Sequence, residues 1–564
     1  MKIVIIGGVA GGASASAKAR RTNEAATIVL FERGPFISFA NCGLPYYVGG
    51  TISDRDDLLL QTPESFWKRF RVAVRVRHEV LSIDRDQKLV NVKDITTGTL
   101  FSESYDKLIL SPGAGAIVPP LPGIDAKNIF TVKTVPDSDA IKRYLEKSAS
   151  KQVIVVGGGF IGLETAEALK NLNMDVTVVE MADQILLPFD PDMAMLVSSH
   201  LCERGLRLIE GDGIKAFRCQ NGIAFEAELQ SGRRLSMDLA ILSIGVRPEL
   251  TLARTAGLKI GDAGGIVVDD RQQTSDADIY AAGDAVEVRH LVTGIPTRIP
   301  LAGPANKQGR VAGANAAGGD LRFPGALGTA IVETMGIIAA KTGLAEKDAK
   351  AHGFEYFASV THPLDHAGYY PGAEQLHIKL VVEHKTGRLL GAQAIGEQGV
   401  DKRIDVLATA LTANMTVKDL ENLDLAYAPQ FNSAKGPVIM AGFVASNTLR
   451  GEVQTITTQA LQRKLEANQD IQLLDVRSPH EFDEEHLPHA QLIPVDNLRE
   501  HLDDLDQSKE TIVYCRVGLR GYLACRILLQ HGFEHVYNLT GGLLSYPLTQ
   551  QPNDEKNKKN LSLK

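Results

Sequence analysis

No two cysteines in the 564-residue chain stand at CxxC or CxxxxC spacing; the five present, Cys42, Cys202, Cys219, Cys515 and Cys525, are scattered. That absence excludes a disulfide framework, a zinc site built on paired cysteines and a local redox disulfide, and no metal site is expected. Redox work at such a cysteine needs exchange with a small-molecule sulfur, or oxidation of the thiol itself. Positive charge is not in excess either. Sixty Lys and Arg stand against 68 Asp and Glu, for a formal net charge of −8, so nucleic-acid binding has no electrostatic support. No hydrophobic run is long enough to cross a bilayer, and Met1-Lys2 passes straight into an apolar strand pattern without the features of a secretory leader. A cytoplasmic protein with no membrane partner is the expectation. What remains is a chain that is 44% hydrophobic, with length for three or four domains.

Two glycine-rich loops follow apolar strands. The first unit runs from Ile3-Val4-Ile5-Ile6 through Gly7-Gly8-Val9-Ala10-Gly11-Gly12 into a small-residue helix, then a strand ending at Glu32-Arg33. In the GxGxxG pattern Gly7 and Gly12 match and Val9 replaces the middle glycine. The second unit is complete: Val153 to Val156, then Gly157, Gly159 and Gly162 in pattern, then a strand ending at Glu180. Glycines let backbone approach a pyrophosphate at a helix N-terminus, and the acidic residue accepts from ribose hydroxyls. Two units in an α/β chain suggest a bound flavin and a diffusible nicotinamide. Glu180 followed by Met181 favours NADH, since a 2′-phosphate would meet negative charge.

Between these units lies Ser38-Phe39-Ala40-Asn41-Cys42-Gly43-Leu44-Pro45-Tyr46-Tyr47, a lone cysteine in a segment punctuated by Gly and Pro. The stretches Tyr105–Ala114 and Leu239–Pro248 read as crossings between two nucleotide domains, and Asp278–Ala285 as a strand delivering Asp284 to a turn. Together these elements, over residues 1 to about 445, resemble the two-dinucleotide-fold flavoprotein disulfide reductases. That resemblance implies FAD held by Gly7, Gly8, Gly12, Glu32, Arg33 and Asp284, with Pro300-Leu301-Ala302 near its isoalloxazine ring. It places Cys42 in the single-cysteine branch, with the coenzyme A-disulfide reductases, NADH oxidases and peroxidases. By the same resemblance, Lys18 and Arg21 meet the ADP end of coenzyme A, and Ser38 and Asn41 hold its pantetheine arm.

From residue 325 to 444 no nucleotide fingerprint recurs, and the resemblance implies an α+β dimerisation domain. His366–Gly372 and Tyr427–Phe431 are similar to the family's two tyrosine segments, implying that Tyr369, with Tyr370 as substitute, and Tyr427 reach the partner's cysteine in a homodimer. A polar linker, 445–453, precedes a last domain, 454–552. There the sequence Asp475-Val476-Arg477, Glu481-Phe482, His486-Leu487-Pro488-His489-Ala490 and Cys515-Arg516-Val517-Gly518-Leu519-Arg520 resembles a single-domain rhodanese. His489 stands where that family has glycine. Cys515 at a helix N-terminus beside two arginines suits a thiolate or persulfide, with Arg520 part of the site. Cys202, Cys219 and Cys525 read as packing, and the tail 553–564 as disordered.

The fold expected is therefore α/β: two dinucleotide-binding, Rossmann-like domains (FAD over 1–150 and 245–324, NADH over 151–244), an α+β dimerisation domain and a C-terminal α/β rhodanese domain. The function expected is NADH-dependent reduction of persulfides and polysulfides with FAD and coenzyme A, sulfur passing from Cys515 to Cys42. Coenzyme A-disulfide reduction, NADH oxidation and a flavin-based redox-sensing binding protein are the alternatives.

Overall fold

The computed structural model describes residues 1–147 and 151–546, so the expected tail 553–564 and the end of the rhodanese range lie outside the described residues. The chain divides into two compact units, one of Met1–Leu187 with His200–Gly336, the other of Pro188–Ser199 with the chain from Ile337 onward.

The first unit holds two parallel sheets. One orders its strands Ile279–Ala281, Lys107–Leu110, Lys2–Ile6, Thr27–Glu32 and Val72–Val76. Ile3, Val4, Ile5, Leu30, Leu108 and Ile109 are fully buried, as near-continuous β-branched and aliphatic runs are in a sheet covered on both faces. The helix Ala10–Thr22 crosses tightly onto the helix Ala302–Ala316, because small residues face one another: a Cβ on Gly309 would strike the backbone of Gly11, and one on Gly313 that of Ala15. The other sheet orders Arg207–Ile209, Asp175–Val179, Gln152–Val156, Leu239–Leu242 and Ile129–Thr131. Its last strand corrects the expected border at 150. Ile129–Thr131 pairs in parallel with Ala240–Leu242, so the second nucleotide domain recruits chain from before its glycine loop, through a strand too short to carry a periodic signal. Ala114–Ala116 and Val246–Pro248 pair antiparallel, which makes them a matched double crossing.

In the second unit, Ile337–Gly343, Leu389–Gly396, Leu376–Glu383 and Tyr356–Thr361 form an antiparallel sheet backed by helices Val400–Thr412 and Pro437–Leu449. Two further borders move. Pro188–Ser199, expected in the NADH domain, belongs here, because Lys379 binds Asp192 Oδ1 at 2.7 Å and Asp190 Oδ2 at 3.2 Å. Residues 445–449, expected as linker, continue the helix Pro437–Leu449 with Ala445 and Ser446 fully buried, which leaves only Arg450–Val453 as connection. The C-terminal sheet is parallel, in the order Gln454–Ile456, Val536–Leu539, Thr511–Tyr514, Gln472–Asp475 and Gln491–Leu492. Among the described residues no helix is long and apolar enough to cross a membrane.

Candidate functional site

Both glycine loops are built alike. Gly7 and Gly157 take φ of +94° and +105°, open to glycine at little cost. A Cβ on Gly12 would strike the Gly7 carbonyl, and one on Gly162 the Gly157 carbonyl, so the last glycine of each pattern lets the helix close on its loop. Glu32 accepts from Gly8 N and Gly34 N, both at 2.7 Å. Glu180 accepts from Gly158 N at 2.8 Å and Ala182 N at 2.9 Å. In each unit the carboxylate is thereby pinned to the loop it serves. The helices opening at Ala10, Phe160 and Ala302 have no side-chain cap and no acid in the first turn, and a Cβ at Gly159 or Gly303 would meet open space. Uncapped N–H groups facing open space suit the phosphates of dinucleotides. Arg33 is exposed, 3.9 Å from Glu249. Asp284 follows Gly283, whose φ is +88°; burial pushes its carboxyl up and Lys133, 3.9 Å away, opposes that.

Cys42 lies in a short 3-10 turn, Asn41–Gly43, that runs directly into the helix Leu44–Val48. Its thiol is pushed above the usual range, first by burial and then by Glu164, with Lys133 pulling it down and Asp284 adding to the rise. Glu164 lies two residues past the last glycine of the second loop, and Tyr46 Oη donates to its Oε1 at 3.1 Å. Neither Glu164 nor Lys133 was foreseen as a site residue: Glu164 sits in the glycine fingerprint and Lys133 in an unpatterned stretch.

A cavity of about 340 Å³ opens beside this segment, lined by Ser14, Arg21, Ser38, Arg69, Asn306 and Arg310 among others. It gathers Arg21 and Ser38 but not Lys18 or Asn41. Arg20, between Lys18 and Arg21, is buried and bound to the carbonyls of Phe70, Glu24 and Arg71. Arg69 and Arg310 come from separate helices, Pro63–Phe70 and Ala302–Ala316, and no local motif marks them. Three arginines thus line one cavity, a chemistry that suits phosphate groups.

Tyr369 and Tyr427 meet phenol to phenol at 2.8 Å, and both are exposed. Tyr370 instead packs edge-on against His366. Arg403 holds the two segments together from the helix Val400–Thr412, donating to the carbonyl of Asp365 and, at 3.4 Å, to that of Phe431.

In the C-terminal domain, Cys515 follows the strand Thr511–Tyr514, and its sulfur accepts from Gly518 N at 3.1 Å. Arg520 faces Cys515 and forks onto Glu481 with contacts of 2.6 and 2.7 Å. That pairing holds the Glu481 carboxyl down at about 2. Arg477 and Asp475 form a second, buried fork. His489 has φ +66°, which explains why glycine suits that position. Cys525 is buried, as expected, and burial pushes its thiol up, whereas Cys202 and Cys219 are exposed rather than packed. Both sit at the margins of their elements, one in the last turn of a helix and one near a strand end, where periodicity does not resolve burial.

Two nucleotide units, a lone cysteine between them and a second cysteine in a rhodanese loop define the class. Residues 1–309 match the pyridine nucleotide-disulphide oxidoreductase family, 332–437 its dimerisation domain and 457–547 the rhodanese-like domain. The chain belongs to the pyridine nucleotide-disulphide oxidoreductases. The "NAD(P)H sulfur oxidoreductase (CoA-dependent)" of Pyrococcus abyssi is 37% identical over 78% of the chain and 96% of its own length. Among solved structures, reduced Bacillus anthracis CoADR-RHD superposes with a TM-score of 0.93 at 45% identity, over 97% of each chain. A NAD-dependent persulfide reductase from A. fulgidus superposes at 0.90 and 39% identity, over 97% of this chain and 100% of that one.

Proposed function

We propose that the protein is a homodimeric, NADH-dependent reductase of persulfides and polysulfides that uses FAD and coenzyme A and releases hydrogen sulfide. The observation that carries this reading is the pairing, in one chain, of a lone Cys42 beside an arginine-lined cavity with a Cys515 loop whose Arg520 is held by Glu481. The sum is RSSH + NADH + H⁺ → RSH + H₂S + NAD⁺.

Cys515 thiolate takes the terminal sulfur of a polysulfide, whose shortened chain leaves as its own anion. Gly518 N–H and Arg520 steady the resulting persulfide anion. The thiolate of coenzyme A attacks the outer sulfur, forming coenzyme A persulfide and returning Cys515 to thiolate. Arg21, Arg69 and Arg310 would bind its phosphates, with Ser38 and Asn41 along the pantetheine arm and Lys18 at the ADP end. Cys42 thiolate then attacks the persulfide; one S–S bond forms, another breaks, and hydrogen sulfide or coenzyme A thiolate leaves. Tyr369 and Tyr427 of the partner subunit donate hydrogen bonds to the leaving sulfur. Gly7, Gly8, Gly12, Glu32, Arg33, Asp284 and Ala302 would hold FAD, which when bound supplies the two-electron link from NADH to the Cys42 sulfur. Glu180, followed in sequence by Met181 rather than an arginine, favours NADH.

Anaerobic NADH consumption and sulfide release test this in wild type, Cys42→Ser and Cys515→Ser. Persulfide is expected to outrun coenzyme A disulfide, Cys42→Ser to lose both, and Cys515→Ser to lose mainly polysulfide. If the disulfide is fastest and Cys515→Ser changes nothing, the protein is a coenzyme A-disulfide reductase instead.

A further inference from the structure

The turn after the last rhodanese strand, Thr540 to Ser545, is tied on two sides. On one side it carries the Cys515 loop: Leu543 N donates to Cys515 O at 2.9 Å and Leu544 N donates to Arg516 O at 3.1 Å. Gly541 and Gly542 take φ of +73° and +59°, and a Cβ on Gly542 would strike the carbonyls of Cys515 and Arg516. The loop that presents the Cys515 sulfur therefore hangs on this turn with no slack. On the other side the turn is gripped by the antiparallel sheet of the dimerisation domain. Val360 N donates to Thr540 Oγ1 at 2.8 Å, and His362 Nε2 lies 2.9 Å from Gly541 O and 3.0 Å from Ser545 Oγ.

A carbonyl can only accept, so His362 Nε2 carries the hydrogen that faces Gly541. The neutral ring then has a bare Nδ1, and His377 Nδ1, 2.6 Å away, donates to it. Register places the two rings opposite each other, since Thr361 pairs with Ile378 on the neighbouring strand. A chain of hydrogen bonds thus runs from His377 through the buried His362 to the turn, and from the turn to the two carbonyls that open the Cys515 loop.

We propose that His362 is a positioning residue for the rhodanese centre: through Gly541 and Ser545 it fixes the Cys515 loop to the dimerisation domain, so that both present Cys515 as one body. The sulfur-transfer part of this rests on the reading of Cys515 as the sulfur carrier. Loss of the grip lets the turn shift, and the carbonyls of Cys515 and Arg516 turn with it, moving the Gly518 N–H that meets the sulfur.

The test uses the full-length holoenzyme with Cys515→Ala, His362→Phe, His362→Gln and Ser545→Ala. Sulfur transfer from polysulfide to cyanide reads Cys515 directly, and iodoacetamide labelling of the Cys515 peptide is followed against pH. His362→Phe is expected to lower kcat for sulfur transfer about tenfold or more with KM little changed, because misplacement of a reacting group acts on turnover. Its Cys515 labelling profile should move to higher pH. His362→Gln, whose side-chain amide can still donate to Gly541 O, should recover most of both. If His362→Phe keeps the wild-type kcat and labelling profile while Cys515→Ala abolishes transfer, the proposal is overturned. If Cys515→Ala leaves transfer intact, the carrier reading fails and the labelling profile alone decides the role of His362. Should His362→Phe not fold, an unaltered labelling profile in Ser545→Ala overturns the proposal.

Discussion

Tyr46 Oη donates to Glu164 Oε1 across 3.1 Å, so the segment that carries Cys42 is bonded to the helix that opens the second glycine loop. Burial raises the Glu164 carboxyl, and the bond from Tyr46 opposes that rise. When ionised, Glu164 disfavours the Cys42 thiolate, a Coulombic penalty second only to burial. The Cys42 thiol is thus tuned by a residue of the helix that follows the second glycine loop.

Glu164→Gln removes that charge and keeps an acceptor for Tyr46. The midpoint of Cys42 alkylation should move to lower pH, read by labelling of the Cys42 peptide across a pH series. Lys133→Met, which removes the opposing cation, should move it upward. An unchanged midpoint in both variants would sink this account of the site.

The arginine cavity makes a separable prediction. A charge-assisted bond to phosphate contributes about 1.5–3 kcal/mol, so Arg69→Ala or Arg310→Ala should raise KM for coenzyme A substrates by about 10- to 100-fold with kcat little altered. Sulfur transfer from polysulfide to cyanide at Cys515, which does not pass through coenzyme A, should respond much less. Equal losses on both substrates would move these arginines out of the coenzyme A site.

What the sequence made legible follows how local each signal is. The glycine loops, Glu32, Glu180, Cys42 and Cys515 each sit in a contiguous motif, so each was marked in the sequence, the two cysteines through the resemblance their motifs carry. Arg69, Arg310 and Lys133 carry no local mark, because a cavity assembled from separate elements leaves nothing periodic in any one of them. Ile129–Thr131 was missed for a similar reason, being a strand recognised only by its partner at Ala240–Leu242. Arg21 and Ser38 did converge on one cavity, while Lys18 and Asn41 stand outside its lining.

Lys379 shows how a distant segment is captured. It is 1% exposed and pairs with Asp190, Asp192 and Glu346. Lys379→Met would leave buried carboxylates without their cation, at a cost of about 3–5 kcal/mol. Denaturant unfolding should show that loss, together with protease sensitivity gained within Pro188–Ser199. A variant as stable as wild type would mean that the cluster is neutralised in another way.

Glu481 and Arg520 predict an acid-side effect in the rhodanese domain. Glu481 is lowered to about 2 from an ordinary value of 4.5, chiefly by its hydrogen bonds to Arg520. A depressed carboxyl contributes stability above its unfolded value, and that contribution fades as pH falls from there through about 2. Calorimetry should therefore find Glu481→Gln less stable than wild type at pH 7, with the gap narrowing below pH 4.5. Sulfur transfer at Cys515 should fall with it, because Arg520 loses the partner that aims it.

The histidine pair gives the opposite sign. Burial is the main cause that lowers His362 to about 3 and His377 to about 4, from an ordinary 6.5; for His362 the neighbouring His377 adds to it, and the Gly541 carbonyl pulls the other way. The groups that bond to His362 are His377, the Gly541 carbonyl and the Ser545 hydroxyl, with no carboxylate among them. A base with a depressed value contributes stability above its unfolded value and loses it as pH falls toward the folded one. The contact between the turn and the dimerisation sheet is thus fully stable above about pH 6.5 and weakens as pH falls below that. Hydrogen exchange at Leu543 and Leu544 should accelerate between pH 7 and pH 5 beyond the intrinsic pH dependence of exchange, and sulfur transfer should fall over the same window. His362→Gln has no titrating ring at this position and should show a shallower slope; a slope as steep as wild type would assign the acid sensitivity to other groups.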